Sequence, residues 1–371
     1  MSVRVGILGA GNISSQYLEN LTRFPDLDVA LVADVEQQRA RSRAEEFGVE
    51  RWGSPEDLLA SDVELVVNLT PPALHVDTSI AALDAGKLVW SEKPLALDGP
   101  AAQQLLRHAE EGRLACAPDT VLGPGAQTWL RVLRDGVLGE VTSGFCAFTS
   151  AGPQLWHPNP AFLFQPGAGP MFDMGPYYLT WLIHALGPVA QVTARASRAR
   201  TVRTIGSGEL KGTQFPVEVS TTTHLFLDFE QGAHVTALFS FDSAVKRKHL
   251  ELTGSMGTIV APDPNGFGGD VVFTPASGDE PRTWSVEAGP TRGLGALELA
   301  RAAAAGRRPR AAVDVAAHVV EILCAAEESA EERRPVGLSL RPKPIDLLPE
   351  DWDPLSDSDL ALASGQSTEQ G

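Results

Sequence analysis

A glycine-rich turn near the start of the chain has the residue spacing of a dinucleotide-binding site. An apolar, β-branched run over residues 3–8 leads into Gly9-Ala10-Gly11-Asn12-Ile13-Ser14, and a helical pattern follows. Two glycines at this spacing allow a tight turn and a close approach of the backbone to a pyrophosphate at the helix N-terminus. We therefore predict cofactor contacts from Gly9, Gly11, Asn12 and Ile13.

Asp34 supplies a second part of that predicted site. It ends the next apolar run, residues 29–33, where a carboxylate can accept hydrogen bonds from both ribose hydroxyls. Its charge would repel the 2′-phosphate of NADP, which favours NAD as the cofactor. Arg39, Arg41 and Arg43 follow in the next helical pattern and keep NADP open as the alternative.

Three further apolar runs are each followed by a short group of candidate residues, most of them polar, at positions where open α/β sheets bind ligands. The groups are Thr70, Pro71 and His75, then Glu92 and Lys93, then Asp119 and Thr120. The first two groups are candidates for cofactor contact, and the third is a candidate for substrate contact. The alternative for each group is a strand exit that uses proline and polar caps, and for His75 taken alone that alternative is the stronger one.

The elements that must position these residues change type along the chain. Strand and helix patterns alternate as far as a glycine-rich break at residues 123–125, which predicts a doubly wound parallel sheet. Beyond about residue 139, strand patterns form hairpins across residues 230–233 and 254–257, with helical patterns at 178–186, 295–305 and 313–331. We predict an α/β dinucleotide-binding domain over residues 1–122, an α+β domain over 123–345 and a loosely ordered tail over 346–371.

The charge and the cysteine content of the chain indicate which partners and which cellular compartment to expect. The 371 residues include 47 acids against 30 lysines and arginines, a net charge of −17 that would repel phosphate backbones and anionic lipids. We expect neither nucleic acid nor a membrane as a partner. Cys116, Cys146 and Cys324 lie in apolar or alanine-rich stretches without metal-ligand spacing, which predicts free thiols, a reducing compartment and no metal. The chain shows no secretion signal and no long apolar run, so a cytoplasmic location is expected.

Taken together, the motifs resemble the Gfo/Idh/MocA family of glucose-fructose oxidoreductase and inositol dehydrogenase relatives. The resemblance rests on the glycine turn, Thr70-Pro71-Pro72 with His75, Glu92-Lys93-Pro94, and Asp173-Met174-Gly175-Pro176-Tyr177, in the family's order and approximate spacing. It covers nearly the whole chain and implies a Rossmann domain followed by a domain built on a large, mostly antiparallel sheet. Because that sheet is often used for oligomerisation, a homo-oligomer, either a dimer or a tetramer, is expected.

The resemblance also implies hydride transfer between a nicotinamide cofactor and a sugar, polyol or ketosugar. That reaction needs a group that takes or returns the hydroxyl proton, and Lys93 and Tyr177 are the candidates. Tyr177 stands where inositol dehydrogenase-like members have histidine and is similar to the proton-transferring tyrosine of the glucose-fructose oxidoreductase branch. We predict that the nearby ammonium lowers the pKa of this phenol, and that Asp173 orients Lys93 or a substrate hydroxyl.

A long segment over residues 152–169 is the predicted substrate contact. Trp156 and His157 offer an aromatic face and a polar group suited to a polyhydroxylated ring, and Asp119 with Thr120 completes the predicted set. Asp119 departs from the Asn-Arg style segment of inositol dehydrogenase-like members, which leaves the identity of the sugar open.

Two other functions remain as alternatives within this resemblance. Some members are NAD-using glycosidases that oxidise their substrate transiently, and others are catalytically silent regulators that bind dinucleotide without turnover. The presence of Lys93, Asp173 and Tyr177 argues against the regulator.

Overall fold

Alternating apolar and amphipathic runs build a parallel sheet in the first third of the chain. The computed structural model describes residues 2–358. Its first six strands are β1 (Val3–Leu8), β2 (Leu27–Ala33), β3 (Arg51–Gly53), β4 (Leu65–Asn68), β5 (Leu88–Ser91) and β6 (Leu114–Cys116). They are parallel, in the order β3-β2-β1-β4-β5-β6, which confirms the predicted doubly wound sheet. The strand order reverses between β1 and β4, where such sheets bind ligands.

Five helices connect these strands and cover both faces of the sheet. They are α1 (Asn12–Leu21), α2 (Gln37–Phe47), α3 (Pro55–Ala60), α4 (His75–Asp84) and α5 (Gly99–His108). The strands are buried on both sides, as the neighbouring residues Val66 and Val67 of β4 illustrate: both are 0% exposed, and they belong to different apolar cores. Because the strands are parallel, the carboxyl ends of β1, β2, β4 and β5 lie along one edge, which carries the candidate site.

The second sheet has nine strands and is mostly antiparallel, as predicted. Its strands are β7 (Val141–Thr149), β8 (Val189–Ser197), β11 (Thr222–Phe229), β12 (His234–Ser240), β13 (Arg247–Gly254), β14 (Gly257–Val260), β15 (Gly269–Pro275), β16 (Arg282–Val286) and β17 (Val336–Gly337). The order is β16-β15-β14-β13-β7-β12-β11-β8-β17, and the pairing of β7 with β12 is parallel. A separate two-stranded ribbon consists of β9 (Val202–Thr204) and β10 (Gln214–Pro216).

The remaining α-helices in residues 2–358 are α6 (Pro124–Arg134), α7 (Gly169–Leu186), α8 (Leu294–Ala304) and α9 (Val313–Glu332). Helix α7 begins nine residues before the helix predicted from residue 178, so Asp173 and Tyr177 belong to one helix. Pro176 hid this extension, because proline inside a helix removes a backbone hydrogen bond and usually marks a helix start. In the described part of the chain, none of the helices combines the length and the apolar character needed to cross a bilayer.

The last described segment returns to the parallel sheet. In α8, Gly295 lies against the Trp90 ring of β5, and Arg301 donates a 2.7 Å hydrogen bond to Asp26. Ser358 also donates to Asp26, at 2.6 Å, and Leu348 is buried. The tail expected from residue 346 therefore makes specific contacts as far as Ser358, and its residues 359–371 lie outside the described part. The boundary between residues 122 and 123 stays a prediction.

Candidate active site

The glycine turn after β1 has the shape of a cradle for a phosphate group. Gly9 has a φ of 104°, and a Cβ there would lie 2.7 Å from the Leu69 carbonyl group, so glycine is required. A Cβ at Gly11 would meet nothing within 4 Å. Gly11 caps α1 without a side-chain hydrogen bond, which leaves the first N–H groups of the helix available to an anion. Asn12 is exposed and Ile13 half-buried at this opening.

Asp34 lies beside the glycine turn at the end of β2. Its carboxylate accepts a hydrogen bond from the Ala10 amide at 2.8 Å and another from the Glu36 amide at 2.9 Å. Arg39 Nη1 lies 3.6 Å from the same carboxylate, and Arg43 donates to the Gly11 carbonyl at 3.4 Å. An acidic group thus lies at the end of β2 next to the glycine turn, with Arg39 and Arg43 nearby.

His75 links the segments that follow β4 and β5. It is buried, with Nδ1 2.7 Å from the Pro94 carbonyl oxygen and Nε2 2.8 Å from the Thr70 carbonyl oxygen. Burial lowers the pKa of this imidazole. Both ring nitrogens are engaged inside the protein, which differs from the direct cofactor contact predicted for His75. Thr70 is half-buried and Pro71 exposed at the exit of β4, next to the point where the strand order reverses.

Glu92 has a similar bracing position at the end of β5. One carboxylate oxygen accepts a 2.8 Å hydrogen bond from the Tyr17 hydroxyl, and the other accepts from the Lys93 amide at 2.9 Å. Trp90 Nε1 donates to the Tyr17 oxygen at 3.0 Å. Glu92 thus fixes the backbone of Lys93, and the cofactor contact predicted for Glu92 stays a prediction. Tyr17 is an addition that sequence patterns did not suggest.

Lys93, Asp173 and Tyr177 converge at the exit of β5. Lys93 Nζ donates to the Asp173 carbonyl oxygen at 2.7 Å and to the Asp173 carboxylate at 2.8 Å. The same Nζ lies 5.2 Å from the centroid of the Tyr177 ring. Asp173 and Tyr177 are four residues apart on α7 and so share one helix face. The three predicted catalytic residues therefore form one cluster.

Burial and charge set the proton affinities in this cluster. Burial alone would lower the pKa of Lys93, but the surrounding Asp173, Tyr177 and Glu92 raise it above its ordinary value. The predicted lowering of the Tyr177 pKa is wrong: burial raises that pKa, and the charges of Lys93 and Arg292 oppose the rise without cancelling it. At neutral pH the cluster therefore contains an ammonium and a neutral phenol.

Arg292 is the main site residue that sequence analysis missed. It precedes α8 and donates to Asp119 at 3.0 Å, to Asn265 at 2.8 Å and to the Tyr177 hydroxyl at 3.3 Å. Asp119 is 0% exposed and also accepts from the Gly293 amide at 2.8 Å. Asp119 therefore lies behind Arg292, which differs from the substrate contact predicted for it. Thr120 is likewise fully buried.

The predicted substrate segment carries an exposed aromatic cluster. Trp156 is 68% exposed, and the His157 ring lies 5.6 Å from Trp156 and 5.5 Å from Phe162, centroid to centroid. Burial lowers the pKa of His157, and the charge of Asp173 opposes this effect. Buried Arg203 anchors the segment from behind through a 2.8 Å hydrogen bond to Gln154.

A nucleotide-binding parallel sheet with an ammonium, a carboxylate and a phenol clustered at its carboxyl edge defines an NAD(P)-dependent oxidoreductase. Residues 3–119 match the family model described as an oxidoreductase family with an NAD-binding Rossmann fold. Residues 126–260 match the model of the GFO/IDH/MocA C-terminal domain. The chain belongs to the Gfo/Idh/MocA family of oxidoreductases, as the sequence motifs indicated.

The names of several similar proteins specify a sugar or a polyol as the substrate. A dTDP-3,4-didehydro-2,6-dideoxy-alpha-D-glucose 3-reductase from Streptomyces antibioticus is 28% identical over 76% of this chain and 79% of its own length. Inositol 2-dehydrogenase 3 from Saccharopolyspora erythraea is 36% identical over 26% of this chain and 30% of its own. Levoglucosan dehydrogenase in complex with NADH and levoglucosan has the same fold, with a TM-score of 0.79 and 20% identity over 91% of this chain and 100% of its own.

Proposed function

We propose that the protein transfers a hydride between NAD(H) and a carbinol or carbonyl carbon of a sugar, polyol or ketosugar. The observation that carries this proposal is the Lys93–Asp173–Tyr177 cluster at the end of β5, on the same edge of the sheet as the glycine cradle of β1 and two strands away from it. NAD supplies a nicotinamide ring that accepts or returns the hydride. The remaining chemistry, which is proton transfer and charge stabilisation, falls to side chains of this chain.

The cofactor is proposed to lie along the carboxyl edge of the parallel sheet. Its pyrophosphate fits the open space over Gly11 at the start of α1, with Asn12 and Ile13 alongside. The Asp34 carboxylate, which lies against the glycine turn, is proposed to accept the ribose hydroxyls and to disfavour a 2′-phosphate, and this supports NAD over NADP. Thr70 and Pro71 are proposed to contact the part of the cofactor that lies between the glycine turn and Lys93.

Tyr177 is the proposed proton carrier. Lys93 is held as an ammonium by Asp173, and its raised pKa makes it a poor proton acceptor at neutral pH. When a ketone is reduced, its carbon receives the hydride and its oxygen takes the proton from the Tyr177 hydroxyl, which leaves a phenolate. Lys93 Nζ at 5.2 Å and Arg292 Cζ at 5.4 Å from the ring centroid stabilise that negative charge.

The substrate class is proposed from the relatives and from the exposed aromatic cluster. The named relatives reduce a dTDP-bound ketosugar, oxidise inositol or bind levoglucosan. Trp156 offers a flat apolar face of the kind that packs against sugar rings, and His157 beside it offers a hydroxyl contact.

A substrate panel tests the proposed function against its alternatives. The protein is incubated with NAD or NADP and with sugars, polyols and glycosides, and with NADH or NADPH and ketosugars, while nicotinamide absorbance is followed. A dehydrogenase gives net, stoichiometric NADH with at least one sugar or polyol. A glycosidase that oxidises transiently releases the aglycone without net NADH, and a silent regulator binds the cofactor but gives neither signal. Either of the last two results would refute the proposal.

The oligomeric state and the location are further proposals. Phe145, Thr236 and Phe226 are register partners across β7, β12 and β11, and all three are exposed on one face of the nine-stranded sheet. We propose that this face joins copies of the chain, and that Phe226→Asp shifts the mass measured by light scattering to the monomer. The free thiols of Cys116, Cys146 and Cys324 support a cytoplasmic location.

A further inference from the structure

Arg292 occupies a position that nothing in the family motifs assigns. It is 8% exposed, and its guanidinium lies between the rings of Tyr177 and Phe267, with Cζ 5.4 Å and 5.3 Å from their centroids. Its nitrogens donate to Asp119, Asn265 and the Tyr177 hydroxyl. These partners come from three separate parts of the chain, so the guanidinium fixes the Tyr177 ring relative to both sheets.

The contact with Tyr177 has a defined direction. A guanidinium can only donate hydrogen bonds, so the phenol oxygen is the acceptor in the 3.3 Å contact with Arg292 Nη2. Within residues 2–358, the hydroxyl proton of Tyr177 has no acceptor of its own. That proton is therefore available to a substrate oxygen.

We propose that Arg292 is a positioning residue that orients the Tyr177 hydroxyl for proton transfer and stabilises its phenolate form. This inference rests on the proposed function, because it takes Tyr177 as the proton carrier. Asp119 in turn holds Arg292 in position through a buried 3.0 Å ion pair at the end of the parallel sheet.

Four charged side chains act on the Tyr177 phenol. Lys93 and Arg292 favour the phenolate, whereas Glu92 and Asp173 disfavour it, as does burial. Removing one of the two cations should therefore raise the pKa of Tyr177 further. It should leave cofactor binding unchanged, because Arg292 contacts none of the residues that form the glycine cradle.

The test compares variants of Arg292 in two backgrounds. Arg292→Gln leaves Asp119 buried without its cation, so the double variant Arg292→Gln with Asp119→Asn removes both charges together and protects the fold. Arg292→Lys keeps the positive charge. Each variant is also made with Tyr177→Phe, and for each the measurements are kcat, KM, NADH affinity by fluorescence and the tyrosinate absorbance titration. The chain has three tyrosines, so the Tyr177 contribution is the difference between the two backgrounds.

The expected result is a kcat at least tenfold lower in the double variant, with NADH affinity unchanged, a higher Tyr177 pKa and partial recovery in Arg292→Lys. In the Tyr177→Phe background the same changes should have no further effect on the residual turnover. Equal losses in both backgrounds, or loss of folding in all Arg292 variants, would show a structural role and overturn the inference. Full turnover in Tyr177→Phe alone would instead refute the proton assignment of the proposed function, while the tyrosinate titration would still report on Arg292.

Discussion

Replacing Lys93 by methionine tests the electrostatic part of the proposed mechanism. Methionine keeps most of the length of the side chain but removes the ammonium that lies 5.2 Å from the centroid of the Tyr177 ring. At that distance and an effective dielectric constant of about 20, a unit charge stabilises an opposite charge by about 3 kcal/mol. If this interaction exists only with the phenolate of the transition state, its loss lowers kcat roughly 200-fold.

The assay separates the chemical step from cofactor binding. The value of kcat is measured from nicotinamide absorbance with a substrate identified in the panel, and NADH affinity is measured by fluorescence titration without substrate. Lys87→Met is the matched control, because Lys87 precedes the same strand at its opposite end and donates to the Ser61 carbonyl at 2.7 Å. We expect the control to keep its turnover, and we expect Lys93→Met to bind NADH with nearly normal affinity.

Two outcomes would refute this reasoning. Turnover within threefold of the unmodified protein would remove the ammonium from the mechanism. A large loss that arises entirely from weaker NADH binding would make Lys93 a cofactor ligand without a part in the chemical step.

Three further predictions follow from single sites. Gly9→Ala should lower the melting temperature measured by calorimetry, because a Cβ there would lie 2.7 Å from the Leu69 carbonyl group. Gly11→Ala places its Cβ in open space, so this variant should fold normally and should only weaken NADH binding, measured by fluorescence titration. Asp34→Ser removes the charge that would repel a 2′-phosphate, so the ratio of kcat/KM for NADP to that for NAD should rise at least tenfold; an unchanged ratio would show that Asp34 does not select the cofactor. For Glu321, burial opposes ionisation, but hydrogen bonds from neighbouring groups hold its pKa at about 2. The ionised Glu321 carboxylate stabilises the folded state at pH values above its unfolded pKa of about 4.3, and this stabilisation is lost as pH falls toward the folded pKa. Glu321→Gln should therefore lower the free energy of unfolding by about 3 kcal/mol at neutral pH. It should also weaken the dependence of urea unfolding on acid pH.

Local patterns in the sequence were sufficient to predict most of the fold. The alternation of strand and helix patterns predicted the parallel sheet, because burial on both faces demands continuous apolar strands. The hairpins of β11 with β12 and β13 with β14 followed from turn residues between alternating runs. The glycine turn was predictable because the φ of Gly9 is a local requirement that few other residues meet.

The part of the site that could not be predicted depends on contacts between distant segments. Arg292 and Asp119 are 173 positions apart in the chain, and no spacing rule links them. Asp119 looked like a substrate ligand because it follows a strand, and its complete burial became visible only with the second sheet in place. The Tyr177 pKa was predicted in the wrong direction for the same reason, since a neighbouring ammonium is visible in a motif but burial is not.

The raised pKa of Tyr177 bears on the direction in which the protein works most readily. Reduction of a ketone needs the phenol in its protonated form, which is the form present at neutral pH, so its rate should stay flat there and fall only as pH approaches the Tyr177 pKa. Oxidation of an alcohol needs the phenolate, so its rate should increase as pH rises above neutrality. The same substrate pair measured in both directions across pH gives opposite slopes if Tyr177 carries the proton. Opposite slopes that break below neutrality would assign the proton to another group, such as His157, whose pKa is lowered by burial. Parallel profiles would refute a single proton carrier altogether.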